Sequence, residues 1–584
     1  GSIDLYAPNE VLVNGGAIRT VGGGSINVKT DYGDVNSGVN LNGYLFGQTA
    51  APYYRVNAAN LGGISTAAGG DVTISAGGDV ISYTPTQTDY NNNNSLYDAG
   101  TGAFGPQPGN VTITAGGDIF GHYVLGNGVG TITAGGDIGV PLLGTLSKGF
   151  ALSLISGSWN VFAPNGNIFV QDVRNPNGIF NDRTSSAGYH YFDYNPASSV
   201  LFQAGNSIEI TGAGAPHTFP SANTTPLPFL FAPSLKMIAG AGGVVLDTSV
   251  TLLPSPLGDL NIATLDGGDF KGVADFTGVT PTLQMSDSAS HSWKGPNSFN
   301  TSDHASSPPE LNNPNPVEIT VSGNMETVDL YTTKATHLTV LGDLLNSGFV
   351  GENLHPQDET FLNVSGKIYN TPGYMFVHLD SALVSADPGH AQEWDSVFRL
   401  AVDSTVANVD ARTLADINQY LSSHRLFSDI PGFVYDPSTL RLGFRGPMDQ
   451  SILSAISGPL TVLVVDAQGK PIIGADGHFE TTSYTFAPGS KIRELYQSTQ
   501  SIPREAPPGY QIGGPGQFNI AAASMDLGNT LGVLSWGIGG PLGDNRRYAS
   551  LAGQVASGAG IDIELTGDLT MLTSTIASMY GGNV

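Results

Sequence analysis

The sequence predicts an all-β chain wound as a parallel β-helix, and three observations lead to this fold class. A short phrase recurs along the chain at intervals of 19 residues or about twice that. Each copy alternates apolar residues with Thr or Ser, which is the pattern of a strand with one buried face. Each copy also runs into Gly-Gly-Asp or a relative of it, which is the chemistry of a turn. Strand and corner at a short fixed period are typical of a solenoid.

The recurring phrase is Ala-Gly-Gly-Asp followed by Val or Ile. Its turn residues are Gly70 and Asp71, Gly78 and Asp79, Gly117 and Asp118, and Gly136 and Asp137. Asp118 follows Asp79 by 39 residues and precedes Asp137 by 19, so one turn takes about 19 to 20 residues. We expect the glycines to supply positive φ and each aspartate to cap the bend with its own side chain. A β-sandwich, the alternative fold, offers no reason for one phrase to return at these intervals.

The period persists across most of the chain, which predicts roughly fifteen to twenty turns interrupted by other segments. Two stretches without strand pattern are predicted to be lateral loops, and a longer one shows helical spacing over 391–402 and 414–426, followed by strands. The predicted domains are a β-helical shaft over 1–380 with loop excursions at 83–108 and 286–316, an α+β insertion over 381–514, and a resumed β-helix over 515–584.

Composition excludes several classes of protein. The chain has 22 Lys and Arg against 49 Asp and Glu, a net charge of −27, so it lacks the basic footprint of a nucleic-acid-binding protein. It has no Cys, which excludes disulfides and thiolate chemistry. No stretch of 18 residues is apolar without a charge or a proline, so we expect no membrane-spanning helix. Many Gly and few charges suit a large secreted bacterial surface protein. No signal peptide stands at Gly1, so we expect a mature chain or a fragment. Neither end resembles a capping repeat, so we expect a section of a longer protein or one unit of an end-to-end stack.

The repeats resemble the filamentous haemagglutinin-like family, the large exoproteins of two-partner secretion. The residues that carry the resemblance are 69–80, 109–119 and 130–138, and residues 1–9 have the same character. The resemblance implies a right-handed coil, a location outside the cell at the bacterial surface, and an outer-membrane secretion partner. Residues 175–179 also match the Asn-Pro-Asn-Gly-Ile element of the family's secretion domain. They stand in mid-chain without their usual companion element, and a simple turn explains them equally well.

From this resemblance we expect an adhesin, or a protein that assembles fibres or biofilm. The expected partners are a host or neighbouring cell surface, glycans, or further copies of the chain. Tyr90, Tyr97 and Trp293 lie in the predicted excursions and are candidate glycan contacts, with packing against the shaft as the alternative. We predict no cofactor, although surface carboxylates leave weak calcium binding open.

The main alternative is a secreted β-helix that binds or cleaves polysaccharide, as lyases and tailspikes do. Such enzymes need clustered carboxylates at set separations, and this sequence has no Asp-Asp pair and only scattered histidines. We therefore predict that the chain is not an enzyme. The feature that would favour the alternative is a cluster of carboxylates or arginines on one face. A receptor-binding module that forms no fibre is a third interpretation.

Overall fold

The computed structural model describes most of the shaft and short strands of the insertion. The described residues are 1–46, 52, 54–83, 97–141, 148–179, 190–212, 229–273, 279–294, 297–301, 303–305, 307–370, 508–528, 530–537, 557–571 and 573–579, with strands between 374 and 502. The chain divides into two compact units. The first comprises 1–272, 281–369 and 507–584, and the second comprises 273–280 and 370–506.

The first unit is a parallel β-helix, as the sequence predicts, and the structure gives it three faces. On the first face, thirteen successive parallel pairings join fourteen strands. At about 4.8 Å per layer, fourteen layers form a stack about 60 Å high. Face 1 comprises Ile3–Tyr6, Ile26–Lys29, Val72–Ala76, Val111–Ala115, the end of Ile119–Ala134, the end of Phe150–Ala163, Ser199–Ala204, Ser234–Ala239, Asp259–Thr264, Val317–Val321, Thr336–Val340, Glu359–Val364, Gln517–Ala522 and Gly560–Leu565.

The other two faces are built from shorter strands. Face 2 comprises Val11–Leu12, Val35–Asn36, Val80–Ile81, the start of Ile119–Ala134, Ile168–Val170, Ser207–Ile210, Gly243–Leu246, Phe270–Gly272, Met325–Glu326, Leu344–Leu345, Lys367–Tyr369, Ser524–Asp526 and Leu569–Thr570. Face 3 comprises Ala17–Thr20, Gly63–Thr66, Thr101–Ala103, the middle of Ile119–Ala134, the start of Phe150–Ala163, Asp172–Arg174, Phe229–Phe231, Val250–Leu252, Thr282–Met285, Asp329–Tyr331, Gly348–Glu352, Tyr510–Gly513, Gly532–Trp536 and Thr575–Met579.

Lateral segments leave the shaft at its corners. Tyr44–Phe46 pairs antiparallel with both Tyr54–Val56 and Tyr97–Asp98. His190–Tyr191 pairs antiparallel with Ser292–Trp293. The short helices of these segments are Ala58–Asn60, Pro176–Ile179 and Pro309–Asn312. In the described part of the chain, no helix is long and apolar enough to span a membrane.

The core of the shaft consists of ladders of equivalent apolar residues. Alternate strand residues point inward, so each layer places a side chain directly on the one below. The central face 1 ladder runs through all fourteen layers, and its inner members are buried. Its residues are Leu5, Val28, Ile74, Ile113, Ile132, Val161, Phe202, Met237, Ile262, Ile319, Leu338, Leu362, Ile520 and Ile563. The apolar alternation read from the sequence is therefore the core of the fold.

A glycine in one layer makes room for a large side chain in the next layer. Gly130 pairs with Val111 on one side and with Trp159 on the other. A Cβ on Gly130 would overlap the indole ring of Trp159, which is fully buried and donates its Nε1–H to the Ser153 carbonyl oxygen over 3.0 Å. The glycine therefore provides the space that the tryptophan of the next layer fills.

The aspartates of the repeats form a ladder of side-chain hydrogen bonds between layers. The Oδ1 atom of Asp79 accepts the backbone N–H of Asp118 at 2.8 Å, and Oδ1 of Asp118 accepts the N–H of Asp137 at 2.8 Å. Asp34 precedes them and Asn167 follows them in the same arrangement. Each carboxylate accepts the backbone N–H of the equivalent corner in the next layer. The repeated aspartate therefore aligns successive layers of the solenoid.

A second copy of this ladder lies farther along the shaft. Oδ1 of Asp269 accepts the N–H of Asn324 at 2.6 Å, and Oδ1 of Asn324 accepts the N–H of Asp343 at 2.8 Å. Oδ1 of Asp343 then accepts the N–H of Lys367 at 2.7 Å. Asn can take the place of Asp because only the acceptor oxygen is used. The looser sequence repeats of this region thus share the corner chemistry of the Gly-Gly-Asp phrases.

The turn residues lie at corners as predicted, but the reason predicted for their glycines is wrong at three of the four positions. Gly70 has a φ of +98°, whereas Gly78, Gly117 and Gly136 are not among the described glycines with positive φ. A Cβ on Gly117 would collide with Oδ1 of Asp79, and the same holds for Gly78 and Gly136 with the aspartates below them. Glycine is needed there because the carboxylate of the previous layer occupies the space of a side chain. The aspartate likewise caps the next corner rather than its own.

Three predicted boundaries are corrected. Thr101–Ala103 is a face 3 strand, so the excursion 83–108 contains part of the shaft. The insertion begins near 370 and ends near 506 rather than spanning 381–514, because Tyr510–Gly513 pairs with the shaft. Phe398–Leu400 is a strand in an antiparallel sheet, and the helix predicted over 391–402 is wrong at these residues because strand pairing outweighs the local spacing. The helix predicted over 414–426 lies outside the described residues.

The second unit contains antiparallel strands only in its described part. One sheet comprises Tyr374–Leu379, Phe398–Leu400, Phe433–Asp436, Arg441–Arg445 and Ser501–Ile502, and a second pair comprises Leu460–Leu463 and Thr481–Tyr484. In the chain, this unit replaces one corner between face 2 and face 3. In the layer below, that corner consists of residues 346–347. Before the corner, Leu345 pairs with Tyr369 of the next layer, and after it, Phe349 pairs with Tyr510.

The ladder predicts how corner substitutions affect stability. We expect Asp118→Ala to lower the free energy of unfolding by about 1–3 kcal/mol, because the N–H of Asp137 loses its acceptor. Asp118→Asn retains an acceptor oxygen, as Asn324 does naturally, and should cost under about 0.5 kcal/mol. Chemical denaturation measures both variants. Equal losses in the two variants would contradict the ladder.

The corner equivalence predicts that the insertion can be removed. We expect a variant in which Asn-Ser replaces residues 370–508 to keep its strand content and melt within about 5 °C of the intact shaft, because the short link restores the corner of the layer below. Circular dichroism measures both properties. A control deletion that also removes Tyr510–Gly513 interrupts the pairing of face 3, so its Tm should lie well below that of the first variant. Collapse of the first variant would show that the shaft depends on the second unit.

Candidate functional site

The three predicted glycan contacts have different locations. Tyr90 lies outside the described residues. Tyr97 begins a short strand that pairs with Leu45. Trp293 is only 7% exposed and belongs to the main hydrophobic core. The structure thus places Trp293 in the packing arrangement that the sequence left as the alternative, and no described contact brings it together with Tyr97.

The Asn-Pro-Asn-Gly-Ile element is a buried turn. Pro176–Ile179 forms a short helix, and Oδ1 of Asn175 accepts the N–H groups of Asn177 at 3.1 Å and Gly178 at 3.2 Å. A side chain on Gly178 would overlap the ring of Phe192. Both asparagines are buried. The turn interpretation of these residues agrees with these contacts.

Two carboxyl groups meet between adjacent face 2 strands. Glu209 lies on Ser207–Ile210, and Asp247 follows Gly243–Leu246. Burial raises the pKa of Asp247 well above its ordinary value, and the charge of Glu209 and a hydrogen bond to it raise this pKa further. Asp247 therefore donates its proton to Glu209 in the folded chain. Both side chains are half-buried, and Glu209 lies on the outward side of its strand, between the buried Ile208 and Ile210.

A buried histidine–carboxylate cluster lies where the excursion 286–316 meets face 3. Asp287 follows the strand Thr282–Met285, and Glu352 is the last residue of Gly348–Glu352, two layers away. His304 comes from the excursion between them. We call Asp287, His304 and Glu352 the His304 cluster.

The geometry of the His304 cluster is compact. Nδ1 of His304 lies 2.8 Å from both carboxylate oxygens of Asp287 and 3.4 Å from Oε1 of Glu352. One donor atom from each of the three residues lies within 4.8 Å of the others. The three side chains are at most 4% exposed. Two carboxylates and one imidazole thus face one another away from bulk water.

Local hydrogen bonds hold the excursion in place. The N–H of Ala305 donates to the Asp287 carbonyl oxygen at 2.9 Å, which sets His304 beside Asp287. The carboxylate of Asp303 accepts the hydroxyl of Ser288 at 2.8 Å and the N–H of Phe299 at 2.9 Å. The cluster is therefore positioned by the fold of the loop and not only by its own contacts.

A third carboxyl group is influenced by the negative charge of the cluster. Glu310, on the short helix Pro309–Asn312, is 1% exposed. Burial and the negative charge of Asp287 together raise the pKa of Glu310 to about 8, against the opposing effect of Lys334. The Nζ atom of Lys334 donates to the Gly258 carbonyl oxygen at 3.0 Å and to Asp259 at 3.1 Å, so its charge is shared.

Neighbours of these residues in the chain line a cleft of about 580 Å³. On its face 1 side, the rings of His337 and Phe361 lie edge to face with centroids 5.2 Å apart, and Nδ1 of His337 lies 2.9 Å from Glu318. The cleft is lined by Leu311, Asn312, Asn313, Pro314, Asn315, Pro316, Lys334, Ala335, His337, Leu354, His355, Gln357, Asp358, Glu359 and Phe361. It combines an aromatic surface with amide and charged groups, as ligand sites do.

The sequence identified the excursion but not the cluster. It placed His304 among scattered histidines, and the structure corrects this by bringing it together with Asp287 and Glu352. No local pattern links these residues, because they meet only through the stacking of layers two turns apart.

Comparison with known proteins found no matching family model, no similar curated protein and no similar solved structure. The resemblance to the filamentous haemagglutinin-like family is therefore carried by the repeat phrases alone and stays a prediction.

The carboxyl pair predicts a pH dependence of stability. The pKa of Asp247 is higher in the folded chain than in the unfolded one, so the folded state holds an extra proton and loses stability as pH rises above the ordinary range of an aspartic acid. We expect Asp247→Asn to reduce the fall in Tm between about pH 5 and about pH 8. Thermal melts across that range test this, with the exposed Asp562→Asn as the control. Parallel Tm profiles for the intact chain and Asp247→Asn would refute it.

Proposed function

We propose that this protein is an extracellular bacterial surface shaft that mediates adhesion or the assembly of fibres or biofilm. The observation that carries the proposal is the unbroken stack of fourteen layers, which keeps its register although lateral segments leave it at several corners. A rigid scaffold that tolerates such segments is suited to holding binding surfaces away from a cell.

The outward surface of the shaft supports this proposal. Where the repeats are most regular, outward positions hold short polar side chains, and Thr112 pairs with Thr131 and Thr114 with Thr133 in adjacent layers. Such side chains cover the sheet without a large apolar patch or a strong local charge. With a net charge of −27, the surface also repels anionic polymers such as nucleic acid.

Glycans are the partner class that the cleft favours. Phe361 offers a half-buried ring, and asparagine side chains such as Asn313 supply paired donors and acceptors that match sugar hydroxyl groups. The cleft takes the place of the predicted aromatic contacts as the glycan-binding surface in this proposal.

We expect the purified chain to bind one or more immobilised neutral polysaccharides and to leave them intact. Phe361→Ala should weaken binding by about tenfold, because a ring that stacks on a sugar contributes about 1 kcal/mol or more. Biolayer interferometry measures binding, and a reducing-end assay measures cleavage. Tyr32→Ala, which removes an exposed ring outside the cleft, is the matched control.

Each other outcome counts against a defined part of the proposal. Equal binding by Phe361→Ala and the intact chain would remove the cleft from the glycan-binding surface. Steady release of sugar ends would favour the alternative, a polysaccharide-cleaving β-helix. Negative-stain images in which no segment about 60 Å long is seen would contradict the shaft itself.

A further inference from the structure

The His304 cluster groups three side chains of the types that bind metal ions. It places two carboxylates around one imidazole, and the Glu310 carboxyl group lies close enough for the charge of Asp287 to act on it. Burying several carboxyl groups together is costly unless a proton or a cation offsets their charge. The nearby Lys334 already shares its charge with Asp259.

The side chain of Glu310 provides a second observation. It is almost fully buried, and among the described residues its Oε2 atom has no hydrogen-bond partner. A buried carboxylate oxygen without a partner is expensive in a folded chain. An additional ligand beside Asp287 would satisfy it.

We propose that Asp287, His304 and Glu352 bind a divalent transition-metal cation, with zinc as the best match. Ligand atoms that lie 2.0–2.2 Å from a tetrahedral zinc are about 3.3 Å apart. Nδ1 of His304 and Oε1 of Glu352 are 3.4 Å apart, so this edge of the tetrahedron is already formed. Asp287 needs only to open its 2.8 Å contact with the imidazole.

The donor set selects the class of cation. Imidazole nitrogen with carboxylate oxygens suits zinc and its neighbours in the first transition row, whereas calcium sites use oxygen donors alone. The burial of the three side chains indicates a closed structural site rather than an open catalytic one. Such an ion would tie the excursion 286–316 to two layers of face 3.

Zinc titration of the chain after removal of metal with a chelator tests this inference. We expect one zinc per chain by calorimetry and a higher Tm with zinc than without it. His304→Gln and Glu352→Gln should each weaken zinc binding by about 100-fold or more, because each removes a ligand. His291→Gln removes an exposed histidine of the same excursion and should leave the affinity unchanged.

Spectroscopy keeps the inference testable if the ligand variants fail to fold. X-ray absorption at the zinc edge of the intact protein should show imidazole nitrogen and oxygen scatterers at about 2.0–2.2 Å. Absence of a one-to-one zinc site in the intact chain, unchanged affinity in His304→Gln, or binding of calcium in preference to zinc would each overturn the assignment.

Discussion

The structure depends on one constraint, that equivalent positions of successive layers lie directly above one another. Parallel pairing imposes it on the backbone, and the side chains of the repeats are selected to satisfy it. An aspartate fits a corner because its Oδ1 atom reaches the N–H of the next layer, as between Asp118 and Asp137. A glycine fits the preceding position because that oxygen occupies the space of its side chain. The repeated phrase thus describes a relation between layers rather than a turn that is complete in itself.

The same constraint explains how the shaft accommodates long lateral segments. Strand pairing within each face sets the register of the layers. A corner can therefore consist of two residues or of a whole unit without disturbing the strands on either side. Glu359–Val364 and Gln517–Ala522 are adjacent layers on face 1, although the insertion separates them in the chain. The entropy of closing such a loop grows only slowly with its length. The shaft therefore carries additions at little thermodynamic cost.

The His304 cluster and the cleft are linked by the chain. Glu310 is followed by Leu311, which lines the cleft, and Glu352 is followed closely by Leu354, which lines it from the other side. An ion held by the cluster would fix both of these segments. Glycan binding at the cleft and metal binding at the His304 cluster would then affect each other through the position of the excursion 286–316.

The sequence alone determined the fold class, the period and the inward-facing residues, because alternation of apolar side chains and a recurring corner are local properties. It also identified the excursion that contains Trp293 and His304. Tertiary structure decided what local patterns do not encode: that the space beside Gly117 is filled by a carboxylate 38 residues earlier, that Tyr510–Gly513 belongs to the shaft, and that Asp287 meets Glu352. Each of these depends on which residues stack across layers, and lateral segments of different lengths change that separation from one turn to the next.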